Sequence, residues 1–235
     1  MSKRKATALM RLGLLLMLAA LGLTVYNMQQ ELQAGKSSAA VISQMIAQQA
    51  DQTDAPTGEG VAEPSTPPVQ HPEAAPSPTP APQELQITAA PDYIRFPGME
   101  MPTAEMNGER YIGKLQIPAL GLTLPVMSEW SYPRLKKAPC RFSGSAYTGD
   151  LIVIAHNYAS HFGKLKSLRP GATVCFTDMA GNTFYYAVAE TEILRPDQID
   201  DLKGTDYPLT LLTCTLGGES RVTVRCEKTM EIPAK

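Results

Sequence analysis

The sequence predicts a mostly β domain that follows a membrane-spanning helix and a disordered linker. Three observations support this architecture: an uncharged apolar run near the N-terminus, a proline-rich segment after it, and a series of short β-type runs in the remainder. The chain has 235 residues, a net charge of −2 and no basic stripe beyond its N-terminus, so its composition argues against a nucleic-acid-binding protein. We expect four segments: residues 1–8, 9–27, 28–92 and 93–235.

The first segments have the pattern of a signal anchor. Residues 12–26 carry no charge and follow a cluster of basic residues, and the apolar run is long enough to cross a bilayer as a helix. A cleaved signal peptide and a retained anchor share these features. A signal-peptidase site, with small residues at two alternate positions, is missing after the run. Its absence favours a retained helix that spans residues 9–27. Basic residues before a helix keep the N-terminus cytoplasmic, so residues 1–8 would lie inside the cell and the remainder outside.

The segment 28–92 is expected to be a stalk followed by a disordered linker. Residues 28–50 are polar with a weak helical pattern, and residues 55–91 contain ten of the twenty prolines. Such a composition cannot bury enough apolar surface to offset the entropy of ordering. In extended form, at about 3.1 Å per residue, this linker could hold the next domain up to roughly 100 Å from the membrane. The target of the domain would then not lie at the lipid surface.

Residues 93–235 are expected to form a mostly β domain with two short helices. The β-type runs, separated by turn residues, are 111–117, 122–127, 151–155, 172–177, 183–194, 209–215 and 221–227. Their regular spacing predicts an antiparallel barrel or sandwich. Short helices are expected at 132–137 and around 163–168.

The last two runs contain the pair of residues that first suggests chemistry. Gly217-Gly218 is typical of a two-residue hairpin turn, and this turn would pair Cys214 with Arg221. Directly opposed residues point to the same face of a sheet. A nearby cation favours the thiolate, and a guanidinium can bind a carbonyl or an oxyanion. We therefore expect a reactive Cys214 beside Arg221, with Arg225 as the alternative if the turn is longer.

A cysteine that performs acyl transfer needs a group that protonates the departing amine, and histidine usually supplies it. His71 lies in the proline-rich segment and is set aside. His156 follows the apolar run 151–155, whereas His161 lies in the loop after it. Because a strand end supports a side chain more rigidly than a loop, we favour His156 and keep His161 as the alternative.

The other cysteines have plainer interpretations. Cys140, Cys175 and Cys226 form no C-x-x-C pair with each other or with Cys214, so a zinc site has little support. One or two disulfides are compatible with a location outside the cell. Cys226 is expected in the core, on the side of its strand opposite to Arg221.

These residues resemble those of the sortases, the membrane-anchored cysteine transpeptidases of Gram-positive bacteria. The run from Thr210 to Cys214 (T-L-L-T-C) matches the T-L-x-T-C signature of that family, and an arginine follows on the next strand at Arg221. The run D-L-I-V-I-A-H, which ends at His156, resembles the strand that carries the family histidine. The similarity covers roughly residues 111–227. It implies a closed eight-stranded barrel with short helices, with no particular subclass.

The resemblance also implies a reaction and its partners. Cys214 would cleave an LPxTG-like sorting signal between Thr and Gly through a thioacyl intermediate, His156 would protonate the departing amine, and Arg221 would stabilise the carbonyl or oxyanion. The partners would be secreted proteins with C-terminal sorting signals and an amine acceptor from a peptidoglycan precursor or a pilin. No cofactor and no metal are expected. The protein would be a single-pass protein of the cell membrane with its catalytic domain outside.

Two rival interpretations remain. The first is another extracellular cysteine acyltransferase such as an L,D-type transpeptidase, although the S-H-G-C-[IV]-R block of that class is absent. The second is a membrane-tethered binding module without catalysis, in which Cys214 is structural.

Overall fold

The computed structural model describes residues 3–53, 90–215 and 217–230. Most of the proline-rich linker expected over 55–91 lies outside the described residues. The elements are α1 (Lys3–Thr53), α2 (Asp92–Arg95), β1 (Ala104–Met106), β2 (Glu109–Ile117), β3 (Leu122–Met127), α3 (Tyr132–Leu135), β4 (Cys140–Ser143), β5 (Leu151–Ile154), β6 (Thr173–Asp178), β7 (Thr183–Leu194), β8 (Leu209–Cys214) and β9 (Arg221–Lys228), with 3₁₀ helices at Pro118–Leu120, Leu165–Ser167 and Pro196–Leu202.

The strands close into a barrel. Their order is β1-β2-β3-β4-β5-β8-β9-β7-β6, and β6 also pairs with β2. The ring therefore contains the eight strands β2 to β9, and β1 is an additional edge strand paired only with β2. The closed eight-stranded barrel is confirmed. Most neighbouring strands are antiparallel, but β3 and β4, and also β5 and β8, are parallel.

All seven predicted β-type runs are strands in the structure, with ends that differ by at most two residues. The sequence did not reveal β1 and β4, which have only three and four residues. The helix expected at 132–137 is α3, and Ser131 caps it because its side chain accepts a hydrogen bond from the Arg134 amide. The second expected helix is the short 3₁₀ helix at Leu165–Ser167.

The interior of the barrel is filled by alternate residues of its strands. On β8, Leu209 and Leu211 are completely buried in this cluster, and Val224 and Cys226 face them from β9. Successive side chains of a strand point to opposite sides, so the residues between them face outward. Cys226 is a buried core residue, as expected.

A second apolar cluster covers the outer face of the β5–β8 part of the barrel. Ile152, Ile154 and Leu212 belong to it, and so do Val41 and Met45 of α1. Each fully buried side chain of this size contributes roughly 1.5–3 kcal/mol to folding. Helix α1 is therefore held to the barrel by apolar packing as well as by polar contacts.

The second half of α1 differs from the free stalk expected over 28–50. Ala34, Ser38, Val41 and Met45 are buried at spacings of four, three and four residues, which places them on one helical face. Two of these residues are small or polar, so the sequence pattern is weak although the helix face is covered. The barrel thus lies beside α1, and not at the distance of up to roughly 100 Å that an extended linker could allow.

The first half of α1 is the candidate membrane anchor. The helix is long and apolar enough over Met10–Gln48 to cross a membrane. Its large apolar side chains between Leu12 and Tyr26 are about half exposed or more. Such a helix, apolar on all sides and without a protein partner in the described part of the chain, has the surface that a lipid environment requires.

Candidate active site

Cys214 and Arg221 face each other across the β8–β9 hairpin. Cys214 is the last residue of β8, and it pairs with Arg221, the first residue of β9. Both side chains are partly exposed. The predicted register of this hairpin is confirmed at this pair.

The turn after Cys214 is short because two glycines form it. Gly217 and Gly218 have φ angles of 89° and 77°, a left-handed conformation that only glycine adopts without strain. The amide of Gly218 donates to the Thr215 carbonyl at 2.9 Å, and the amide of Thr215 donates to the Ser220 carbonyl at 2.9 Å. Leu216 lies outside the described residues.

His156 lies beside Cys214 on the neighbouring strand. Strands β5 and β8 run parallel with Ile154 next to Leu212, and the Ala155 amide continues the pairing by donating to the Leu212 carbonyl at 3.1 Å. The same offset, continued two residues beyond the end of β5, brings His156 to the level of Cys214. Both residues share the outward face of their strands.

The surroundings of His156 favour a neutral imidazole. Burial lowers the pKa of His156, and the positive charge of Lys136 lowers it further. The ring stacks on Tyr158, with 4.9 Å between the ring centroids. The imidazole is therefore oriented by an aromatic neighbour and gives up a proton readily.

His161 lies beneath the surface. It is completely buried, and its Nε2 atom is 3.4 Å from the Ser38 hydroxyl of α1. Burial, with a smaller effect from His156, lowers the pKa of His161 to about 4. The structure thus separates the two candidate histidines: His156 is next to Cys214 and partly exposed, whereas His161 is enclosed.

The two candidate arginines also differ. The Arg221 guanidinium donates to the Gly218 carbonyl at 2.8 Å and remains partly exposed. Arg225 is buried, with an ion pair to Glu192 at 2.7 Å and a hydrogen bond to the Thr210 hydroxyl at 3.3 Å. Arg225 therefore links β7, β8 and β9, while Arg221 lies at the strand end with Cys214.

Cys214 is the accessible thiol among the four cysteines, all of which lie in the described part of the chain. All four are free, so the disulfides considered for the sequence are not formed. Burial raises the pKa of Cys140 and of Cys226 to about 12, and it also raises that of Cys175. These three thiols are protonated and enclosed.

A cavity lies on the same outer face as the Cys214–His156 pair. It has a volume of about 270 Å³, and its walls include Asp150, Ile152, Leu202 and Tyr207. Ile152 precedes His156 by four residues on the same face, a distance of about 13 Å along an extended chain.

Sequence reasoning missed several residues that support the site. The Thr213 hydroxyl donates to the Ala155 carbonyl at 2.9 Å, and the side-chain amide of Asn157 donates to the Thr215 carbonyl at 3.5 Å. Both hydrogen bonds connect the segment of His156 to the segment of Cys214. The T-C pair of the signature was a signal for Thr213. Nothing in the sequence pointed to the contacts of α1. Within the described residues, no group of three or more His, Cys, Asp or Glu side chains is arranged to hold a metal ion.

The fold and the site together define a closed β-barrel with a cysteine, a histidine and an arginine at the ends of three adjacent strands. Residues 115–229 match the family model of the sortase domain. The chain therefore contains a sortase domain over these residues, and its subclass is not assigned.

Solved sortase structures are similar to the chain at low sequence identity. Sortase A from Corynebacterium diphtheriae is 21% identical with a TM-score of 0.49, and the match covers 54% of this chain and 64% of that one. Sortase C from Clostridium perfringens, solved with the C-terminal cell wall sorting motif, is 25% identical with a TM-score of 0.47 and coverage of 56% and 75%. Sortase C from Streptococcus pneumoniae is 23% identical with a TM-score of 0.46 and coverage of 53% and 72%. No curated protein sequence is similar enough to the chain to count as a match.

Proposed function

We propose that this protein is a cysteine transpeptidase that cleaves an LPxTG-like sorting signal between Thr and Gly and transfers the released acyl group to an amine. The observation that carries this proposal is the convergence of Cys214, His156 and Arg221 on neighbouring strand ends of a sortase domain. Cys214 is also the partly exposed thiol of the four.

In the first half of the reaction, the Cys214 sulfur attacks the carbonyl carbon of the substrate threonine and its proton passes to His156. A sulfur–carbon bond forms, and the bond between that carbon and the glycine nitrogen breaks. His156 returns the proton to the glycine amine as it leaves. The lowered pKa of His156 suits this step, because an imidazolium that forms there releases its proton readily.

Arg221 supports the same step through its charge. The hydrogen bond to the Gly218 carbonyl fixes one side of the guanidinium. Its remaining N–H groups can donate to the substrate carbonyl oxygen, where negative charge develops as the tetrahedral intermediate forms.

In the second half, an amine attacks the thioester. Its nitrogen forms a bond to the acyl carbon, the sulfur of Cys214 leaves, and the proton of the amine returns to the sulfur through His156. The acceptor we propose is an amine of a peptidoglycan precursor or of a pilin. A thioester intermediate divides one difficult acyl transfer into two easier steps.

We also propose that the apolar half of α1 is a single-pass anchor. Residues 1–8 would then lie in the cytoplasm and residues 93–235 outside the cell, where proteins with C-terminal sorting signals are exported. The length and hydropathy of the helix support this location.

The proposal is tested with the full chain in detergent micelles or nanodiscs. A fluorescence-quenched LPxTG peptide and hydroxylamine as acceptor should give cleavage and a hydroxamate product. Cys214→Ala should abolish both, and Cys175→Ala, which removes a buried thiol on β6, should leave them nearly unchanged. Turnover by Cys214→Ala, or the absence of cleavage by the folded wild-type protein across a library of LPxTG-type peptides, would refute the proposal.

A further inference from the structure

We propose that residues 31–38 of helix α1 position His156 for catalysis by holding the loop 157–161 that follows it. We call this loop the His loop. The inference rests on the proposed function, because it assumes that His156 transfers a proton. It adds a support for the active site that lies more than a hundred residues away in the sequence, in the helix that also carries the candidate anchor.

Glu31 is bonded to the His loop at two points. Its carboxylate oxygen Oε1 accepts a hydrogen bond from the Ala159 amide at 2.7 Å. Its backbone carbonyl accepts one from the Ser160 hydroxyl at 3.3 Å. Charge-assisted hydrogen bonds of this length are stronger than neutral ones, so the carboxylate fixes the middle of the loop.

About two turns further along, at Ser38, α1 encloses the end of the loop. Ser38 is buried, and its hydroxyl lies 3.4 Å from His161 Nε2 and 3.1 Å from the Lys137 carbonyl. A Cβ atom on Gly35 would lie 3.3 Å from the Cβ atom of Ser160, so helix and loop are in close contact. The absence of a side chain at Gly35 allows this approach.

The loop transmits its position to His156 through Tyr158. The Tyr158 ring contacts both histidine rings, with its centroid 4.9 Å from that of His156 and 5.6 Å from that of His161. The backbone of the loop is also closed on itself: the Gly163 amide donates to the Tyr158 carbonyl at 2.9 Å, and the Phe162 amide donates to the His156 carbonyl at 3.2 Å. A shift of Ala159 therefore moves Tyr158, whose ring stacks on the His156 ring.

This arrangement predicts which kinetic constant changes when the Glu31 contact is lost. A displacement of about 1 Å in a catalytic group can cost on the order of 10²-fold in rate, and residues that fix such groups act on the chemical step. The two Glu31 contacts, to Ala159 and Ser160, act on the loop that follows His156. Loss of the Glu31 contact should therefore lower kcat and leave KM for the peptide nearly unchanged.

The experiment compares three variants of the full chain in nanodiscs. Glu31→Ala should lower kcat roughly tenfold to a hundredfold and should shift the pH profile of kcat/KM. Glu31→Gln keeps an oxygen that can accept from the Ala159 amide, so it should restore most of the rate. Gln33→Ala changes an exposed position on the same helix, so it should behave as the wild type.

Two kinetic results would overturn the inference. One is a Glu31→Ala enzyme whose kcat and pH profile match those of the wild type. The other is an equal loss in Glu31→Ala and Gln33→Ala, because the effect would then come from the helix as a whole.

A second measurement does not depend on peptide turnover. The chain has three histidines, so ¹³C-labelled histidine gives three NMR signals, which His71→Gln and His161→Gln assign. Glu31→Ala should shift the signal and the titration midpoint of His156, and Gln33→Ala should not. An unchanged His156 signal would refute the positioning role. A changed signal in a protein that cleaves no sorting peptide would refute the proposed function and leave the contact between α1 and the His loop intact.

Discussion

Acid should destabilise the protein through His161. Burial lowers the pKa of this imidazole to about 4, from an ordinary value of 6.5. The unfolded chain therefore takes up a proton at pH values where the folded chain does not. Stability contributed by the neutral ring is fully present above pH 6.5, falls as the pH decreases, and is lost by about pH 4.

The size of this effect follows from the two pKa values. Between pH 7.5 and pH 5, the free energy of unfolding should fall by about 2 kcal/mol because of His161 alone, and by about 3 kcal/mol at most near pH 4. Because His161 packs under α1 against Ser38, the same protonation should weaken the contact between the helix and the barrel.

Denaturant unfolding of the full chain in micelles, at pH 7.5 and pH 5, measures this effect. Other groups also titrate in this range, so the relevant quantity is the difference between the wild type and His161→Gln, whose side chain stays neutral. The wild type should lose about 2 kcal/mol more than the variant over this interval. Equal losses in the two proteins would refute the argument that His161 is held neutral by burial.

Two further predictions concern matched pairs of substitutions. Arg221→Ala should lower kcat by about 10²–10³-fold with the free energy of unfolding nearly unchanged, whereas Arg225→Ala should destabilise the fold because it breaks the ion pair of a buried arginine. Peptide kinetics and denaturant titration distinguish the two variants. A fully active, stable Arg221→Ala protein would contradict the role assigned to Arg221. Tyr147→Phe should cost about 1.5–3 kcal/mol, because its hydroxyl donates to the buried Asp178 carboxylate at 2.6 Å. Tyr186→Phe should instead stabilise by about 1 kcal/mol, because its buried hydroxyl has no hydrogen-bond partner in the described structure; shifts of the same sign in the two tyrosine variants would count against this reasoning.

The sequence predicted the barrel and the register of its key hairpin because both follow from local patterns. Alternation along the strands and the Gly217-Gly218 turn are enough to align Cys214 with Arg221. The placement of His156 needed more, since the parallel pairing of β5 with β8 is a contact between distant segments. The resemblance supplied this contact, and the residues alone left His156 and His161 as alternatives.

The role of the second half of α1 could not be predicted for a physical reason. Its buried face consists of Ala34, Ser38, Val41 and Met45, and small or polar residues at half of these positions give little hydrophobic periodicity. This part of the helix is held by a narrow face of mostly small residues that packs closely against the barrel, and not by a wide apolar stripe. Strands β1 and β4 were missed because they are short and, unlike the equally short β5, are not continuous apolar runs.

With the apolar half of α1 as the proposed anchor, the contact between Glu31 and the His loop would fix how far the proposed site lies from the bilayer. Tyr26, at the end of the uncharged run, precedes Glu31 by five residues, or about 7.5 Å of helix. The sulfur chemistry would then occur within reach of the lipid headgroups. A substrate or an acceptor that is itself held at the membrane would then arrive by diffusion in two dimensions, without having to leave the membrane.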